Sequence, residues 1–511
     1  MTGADCLLRT AAAAGNRACF ANPGTSELPL VAALGRVSEV RPVLCLFEGV
    51  CTGAADGYGR MAGVPGLSLL HLGPGLANGA ANLHNARRAH TPLVNVVGDH
   101  ATWHRSADPP LNTDIASIAR PVSDWVREVR TAADLPRDAA DAVAAAMSGQ
   151  VATLIVPQDV QKQQAAGEAV RLPAPPPRPV DREIVRRAAG VLRRGSPAVV
   201  LLGGTALTER GLHAAVRVAA GAGCQLFCEP RPARMERGGA LPAPPRLPYF
   251  PDQVLATLKP FRSVVLAGAR EPVAFFGYDG FPSRLIDAGQ EAITVAAPAD
   301  DVPTTLEALA DELGSPPQAD VPAAARRPSP PTGPLTPETI AAALAAIQPE
   351  GAIVVDEGIT AGVAYFAAAA GALRHSYLTL GGGSIGFGMP CATGAAVACP
   401  ERKVINLQAD GSGLYTAQAL WTQAREGLDV TTLVLANRRY RILEIEAARS
   451  GEDFGSPARR LFGLAEPAPD WVQLAAGFGV PAARVTTADE LVRELGRALA
   501  EDGPHLIEAV L

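Results

Sequence analysis

The stretch VINLQADGSGLYTAQALWTQAREGLDVTTLVLAN, Val404 to Asn437, sets two apolar strands around one helix. The first strand, Val404–Leu407, runs into Asp410-Gly411-Ser412, and the second, Thr431–Leu435, stops just short of Asn437. In a parallel α/β unit both strand ends lie at one edge of the sheet, the edge where ligands bind. The spacing therefore brings a carboxylate and a carboxamide together there. Hard oxygen donors, a flexible glycine and a helix N-terminus describe a site for a magnesium-bound diphosphate.

The same alternation fills the rest of the chain. ACFANPG, VLCLFEG, GLSLLHLG, PLVNVVGD and VATLIVP are short apolar strands between helical patterns in the first third; PAVVLLGG, CQLFCEP and SVVLAGA repeat the theme in the middle; GAIVVDEG, KVINLQADG, TTLVLANRR and HLIEAVL do so at the end. Strands alternating with helices predict parallel sheets covered on both faces. RLPAPPPRPVD (171–181) and RRPSPPTGPLT (326–336) cannot continue a helix or a central strand and read as extended linkers. The expectation is three doubly wound α/β domains with parallel sheets, at 1–170, 182–325 and 337–511. A chain of 511 residues exceeds one ordinary core.

Composition excludes several classes of function. A net charge of −6 with no basic stripe gives no purchase for nucleic acid. No segment approaches the roughly 20 apolar residues that a membrane helix needs. The start, MTGADCLLRTAAAAG, lacks the basic and apolar regions of a signal peptide. Eight cysteines without paired spacing read as buried free thiols, which fits a reducing cytoplasm. Cys224 and Cys228 have no second pair or histidine cluster with them. A dinucleotide-dependent dehydrogenase is disfavoured, because no G-x-G-x-x-G opens a helix with an acid about 20 residues on.

Other residues stand at strand ends, where loops carry function. Glu48 follows PVLCLF and opens the helical stretch GVCTGAADGYGRMAG; alone it reads as an electrostatic cap. FANPGTSELP (20–29) is a strand followed by a Pro-Gly turn, with Ser26 placed to N-cap the next helix. His71, His100 and His104 follow strands, though a lone histidine there is as readily hydrogen-bonded structure. LGGGSIGFGMP (380–390), before the small-residue helix CATGAAVA, reads by itself as a close helix–sheet packing turn.

Together these stretches resemble the thiamine-diphosphate-dependent 2-oxo acid decarboxylases and carboligases, the group of acetolactate synthase, benzoylformate decarboxylase and pyruvate decarboxylase. The resemblance covers essentially the whole chain and implies pyrimidine-binding, central and diphosphate-binding domains in that order. The group's diphosphate motif is Gly-Asp-Gly, a spacer, then Asn-Asn. Here it reads ADGS…AN, with 25 residues between Gly411 and Asn437. Ala409 and Ala436 depart from it at positions that are not ligands. The resemblance implies that Asp410, Asn437 and the backbone carbonyl of Arg439 hold magnesium. It implies that Pro23, Thr360, Gly411, Ser412 and Tyr440 contact the cofactor. NPGTSELP and FEGVCTGAADGYGRM match the group's first domain and make Glu48 the glutamate at the cofactor's aminopyrimidine ring. A carboxyl in an apolar pocket has its pKa raised toward the range of easy proton exchange. In GGGSIGF, Gly383 matches the residue whose carbonyl holds the exocyclic amine, and Ile385 the bulky side chain that bends the cofactor.

The reaction implied begins with decarboxylation of a 2-oxo acid, and the remaining fragment is then protonated or captured by a second carbonyl. His71 matches a histidine of benzoylformate decarboxylase and Thr25 its substrate-facing serine. That enzyme's second histidine falls on Phe276, and the adjacent His-His pair of pyruvate decarboxylase is missing. Loss of a proton donor argues for an acetolactate-synthase-like ligase over a simple decarboxylase. The group's architecture implies a homodimer or homotetramer, with Glu48 facing the Gly383 run across the interface. FAD in the central domain, as some acetolactate synthases have, is compatible with the LLGGTAL turn but not required by it. A non-catalytic protein that kept the fold only for binding would have no reason to retain Glu48, Asp410 and Asn437 together.

Overall fold

The structure is a computed structural model and describes residues 1–165, 178–195, 197–319 and 325–511. Most of the proline-rich stretch 171–181 lies outside the described residues. The second stretch, 326–336, forms no helix or strand, and Pro334 makes an isolated bridge to Thr487. The chain folds as two compact units. One comprises residues 1–175, 328–368 and 380–511, the other 176–327 and 369–379.

The first sheet contains β1 (Ala18–Asn22), β2 (Arg41–Leu44), β3 (Gly66–Leu70), β4 (Leu93–Asp99), β5 (Trp125–Glu128) and β6 (Val151–Pro157), in the order β2-β1-β3-β4-β6-β5 and all parallel. Successive side chains of these strands feed two separate cores. Phe20, Leu70 and Val97 enter one, while Cys19, Ala21, Leu69 and Val96 enter the other. A sheet buried on both faces needs helices on both, which is the doubly wound arrangement. The chain leaves β1 for β2 on one side and reaches β3 on the other. The switch point, where such sheets bind ligands, is therefore outside the carboxyl ends of β1 and β3.

In the second unit β7 (Ala198–Leu202), β8 (Gln225–Cys228), β10 (Ser263–Ala267) and β11 (Glu291–Ala296) form a parallel sheet in the order β11-β10-β7-β8. There too β9 (Arg234–Arg237) pairs antiparallel with β13 (His375–Thr379). The third sheet, within the first unit, runs β16 (Ala482–Val485), β17 (His505–Val510), β15 (Val430–Ala436), β14 (Val404–Ala409), β12 (Ala352–Glu357), all parallel. Three α/β sheet domains are thus present. The strands absent from the sequence reading are β5, β9, β11, β13 and β16; WVRE, RMER and EAITVA are interrupted by charged or polar residues and lack the continuous apolar run of a central strand.

Helices Glu48–Ala62 and Gly388–Ala398 bring the first and third sheets' domains into one core, which joins Ala54 and Tyr58 to Met389, Leu420 and Trp471. Their small residues set the approach. A Cβ on Gly57 would lie 2.0 Å from the Cys391 carbonyl oxygen, and one on Gly394 1.8 Å from that of Ala54. The run CATGAAVA thus makes a close helix–helix contact on one face, while Gly388 at the helix start packs on Asn406 and Gln408 of β14. Within it Arg60 forms a buried pair with Asp56 (Nη2–Oδ2 2.7 Å) and stacks over the Phe387 ring at 4.7 Å. None of the eight cysteines is in a disulfide; six are buried, and Cys224 and Cys399 are partly so. Among the described residues no helix is long and apolar enough to cross a membrane.

Candidate active site

Residues after three strands of the first sheet gather at one edge of it. After β1 the backbone makes a 3₁₀ turn, Thr25–Glu27, which carries Glu27 inward until it is fully buried. His71 follows β3, and its Nδ1 lies 2.7 Å from Glu27 Oε2. A carboxylate only accepts, so the ring donates Nδ1–H and keeps Nε2 free. Ser26 donates its hydroxyl to Glu27 Oε1 at 2.9 Å and lies 3.3 Å from His71 Nδ1. Its hydroxyl therefore serves the acid and the histidine, and does not cap the following helix. The Gly24 N–H also donates to Glu27, at 2.8 Å.

Glu48 is the first residue of its helix and is 8% exposed. Its carboxyl accepts from Asn78 Nδ2 at 3.1 Å rather than from its own helix, so the simple cap is not what it does. Gly75 separates it from the histidine. A Cβ there would come 3.2 Å from Glu48 Oε1 and 3.5 Å from His71 Cβ. The structure thus brings Glu48, His71, Ser26 and Glu27 together at the switch point. Thr25 is exposed, and its carbonyl accepts from Gln158 at 3.2 Å; Pro23 is half-buried beside it. His100 and His104 stack edge-on 5.8 Å apart after β4.

A second cluster sits at the ends of β14 and β15, adjacent strands of the third sheet. Asp410 is buried and opens a one-turn helix, Asp410–Gly413. Its carboxylate accepts the N–H of Arg438 at 2.6 Å and of Gly411 at 2.9 Å. The first of these bonds pulls the Asn437–Arg439 loop onto the acid. Asn437 Oδ1 takes the Arg439 N–H at 3.1 Å, and the Arg439 carbonyl takes that of Arg441 at 3.0 Å. Each oxygen keeps a further lone pair. Tyr440 packs on Gly411, where a Cβ would meet its ring at 2.5 Å. Ser412 accepts from Gln408 Nε2 at 2.7 Å. Burial pushes the Asp410 carboxyl above its usual range, with the two N–H donors opposing.

Backbone strain gathers at the same places. Leu72, Ile359 and Arg438 have φ of 52°, 48° and 57°, and they adjoin His71, Thr360 and Asn437 in turn. For β-branched Ile359 this is a true outlier. Such residues cost about 1–3 kcal/mol each and persist where surrounding structure enforces them, most often at functional sites. His90 and Asp108 share the conformation without adjoining a candidate.

The glycine run connects the two clusters. Asn82 donates to the carbonyls of Gly49 (2.8 Å) and Gly386 (3.0 Å), and so ties the first turn of the Glu48 helix to the run. Asn85 takes both backbone groups of Ser384, and His84 Nε2 meets the Gly382 carbonyl at 3.1 Å. Gly383 (φ 82°) and half-buried Ile385 lie between these anchors. Phe276 is 57% exposed in the second unit, among Phe275 and Phe281. Sequence reasoning passed over Glu27, Asn78, Asn82, Asn85 and Glu357. Only Glu27 and Glu357 carried a signal: an acid just beyond a strand, and an acid at a strand's last position.

The first sheet thus carries an acid–histidine cluster at its switch point, and the third ends in Asp-Gly and Asn. The chain belongs to the thiamine-diphosphate enzymes that include acetolactate synthases and benzoylformate decarboxylases. Residues 1–118 match the N-terminal TPP binding domain of thiamine pyrophosphate enzymes, and residues 360–509 match the C-terminal one. It is 51% identical to the "Putative acetolactate synthase large subunit IlvX" of Mycobacterium tuberculosis, over 100% of this chain and 99% of that one. It is 30% identical to benzoylformate decarboxylase of Pseudomonas aeruginosa, over 96% and 95%. Among solved structures, the thiamine diphosphate-dependent 4-hydroxybenzoylformate decarboxylase of Rhodococcus jostii RHA1 superposes with a TM-score of 0.85, at 27% identity over 99% of this chain and 98% of that one.

Proposed function

We propose that this protein uses magnesium and thiamine diphosphate to decarboxylate a 2-oxo acid, and that His71 then protonates the product carbon so that an aldehyde leaves. The observation that carries this reading is the His71–Glu27 pair, with His71 and Glu48 both packed against Gly75. The residues fit both groups. Among the described residues Asp410 is a buried carboxylate with only backbone N–H partners, so a divalent cation would supply its counter-charge; Asp410, Asn437 and the Arg439 carbonyl offer the hard oxygens that magnesium prefers.

When bound, thiamine diphosphate supplies the carbon nucleophile and the electron sink for loss of carbon dioxide. The chain's residues then have distinct tasks. Gly411 and Ser412 meet the diphosphate with Thr360 and Tyr440 near it. Pro23, the Gly383 carbonyl and Ile385 hold the ring end. Glu48 exchanges a proton with the aminopyrimidine through its carboxyl, which Asn78 orients. Glu27 fixes the His71 ring so that Nε2 holds and delivers the proton. As the resemblance implies, the assembly proposed is a homodimer in which each first domain completes its partner's third, with domains at 1–170, 182–325 and 337–511.

We assign no flavin to the second unit. Gly203 after β7 packs on the loop after β10, where its Cβ would come 2.7 Å from Ala269 Cα, so backbone fills that switch point. The Gly204 N–H that a phosphate would use already donates to Glu229, at 3.3 Å.

Carboligation is the second reading, favoured by the 51% identity to a protein named as an acetolactate synthase and by Phe276 standing where the resemblance expects a histidine. Incubation with both cofactors and a panel of 2-oxo acids, with and without acceptor aldehydes, separates the two. Aldehyde formed in step with carbon dioxide supports the proposal. A 2-hydroxy ketone or acetohydroxy acid as the main product supports ligation, and no carbon dioxide from any acid refutes both.

A further inference from the structure

Glu357 ends β12 and is 1% exposed. Four N–H donors converge on its carboxyl: Gly386 at 2.7 Å, Phe387 at 3.0 Å, Gly388 at 2.6 Å and Gln408 Nε2 at 3.0 Å. Three of these are consecutive peptides at the start of the Gly388–Ala398 helix, where a negative charge is favoured. The helix N-terminus is therefore filled from within the chain, and a phosphate must bind elsewhere. Burial raises the carboxyl's pKa while the four donors oppose it. A bare cap could do the same work from the surface with Ser or Asp at far less desolvation cost.

What the buried position adds is a link. Gln408 stands opposite Glu357 in the β12–β14 register, two residues before Asp410, and also donates to Ser412. On its other side the carboxyl pins Gly386, whose carbonyl is clamped by Asn82 (3.0 Å) and by Thr416 Oγ1 (3.1 Å). With Asn85 on Ser384, these anchors bracket Ile385 and leave the Gly383 carbonyl without a partner among the described residues. One carboxyl thus joins the strand that bears the metal ligand to the loop that presents Gly383 and Ile385.

We propose that Glu357 is a positioning residue that sets the spacing between the diphosphate end and the ring end of the cofactor site. The proposal rests on the functional reading above. A rigid two-ended ligand is sensitive to that spacing, whereas a ligand with only the diphosphate end is not.

The test compares wild type and Glu357→Gln, which keeps the volume but turns an NH₂ or a weaker acceptor toward the converging N–H groups. Calorimetry measures magnesium-dependent binding of thiamine diphosphate and, separately, of inorganic pyrophosphate. The expected result is a loss of about tenfold or more for thiamine diphosphate, with pyrophosphate within about twofold. Equal losses for both would make Glu357 a structural support of the diphosphate site, and no loss for either would remove its role; each overturns the proposal. Wild type that binds neither ligand overturns the functional reading itself and this proposal with it. If Glu357→Gln does not fold, Thr416→Val releases the same Gly386 peptide from its other side. It should show the same selective loss at about threefold, and an unselective or absent loss there overturns the proposal equally.

Discussion

Glu229→Gln should abolish a pH dependence of stability that originates in the second unit. Glu229 follows β8, and although the residue is partly exposed its carboxyl is desolvated, with the Gly204 N–H as hydrogen-bond donor and the Arg270 charge opposing the effect of burial. Burial dominates and pushes its pKa up to about 7 from an ordinary 4.5. The folded chain therefore holds a proton that the unfolded chain has released between those values. The contribution is fully present below pH 4.5 and is lost as pH rises through 7. That difference gives a ceiling of about 3 kcal/mol, and partial exposure brings it nearer about 2 kcal/mol. Urea unfolding followed by circular dichroism at pH 5 and pH 8 measures it. Wild type should lose roughly that amount more than Glu229→Gln between the two values. Parallel curves for the two proteins would refute the assignment of a proton to this carboxyl.

Three further outcomes follow from the same geometry. Glu27→Gln should leave the fold intact and lower turnover by about 10- to 100-fold, because the His71 tautomer is no longer fixed; normal turnover would contradict this. Gly75→Ala places a methyl against Glu48 and His71 and should cut turnover while leaving magnesium–pyrophosphate binding as it is, measured by calorimetry. Asp56→Ala removes the buried carboxylate paired with Arg60 and should cost about 3–5 kcal/mol in denaturant unfolding; an unchanged midpoint would contradict this.

The central strands were legible because burial on both faces forces continuous apolar runs. Val404–Leu407 and Thr431–Leu435 lie inside β14 and β15, and the polar residue after each run marks the sheet edge. The edge strands were not legible, because a short, half-covered strand such as WVRE carries two charges in four residues and looks like loop or helix. Asp410, Asn437, Glu48 and His71 were visible at strand ends. Ser26 was read as a helix cap, since its true partners, Glu27 and His71, are brought to it only by the pairing of β1 with β3. Asn82 and Asn85 look like any polar helical face, and their targets lie about 300 positions away in the glycine run. Glu357 is hardest of all, because the same VVDEG could end in a solvated acid unless the helix start at Gly388 is known to pack over it.

The account's central claim is that Glu48 activates a bound thiamine diphosphate, and hydrogen–deuterium exchange at the thiazolium carbon of the bound cofactor tests it most directly. Wild type with magnesium should exchange far faster than free cofactor. Glu48→Gln keeps the shape and the Asn78 contact but cannot pass a proton to the aminopyrimidine, so its exchange should be slower by about 100-fold or more with cofactor affinity only modestly reduced. Equal exchange rates in the two proteins would contradict the claim and reduce Glu48 to a buried helix terminus.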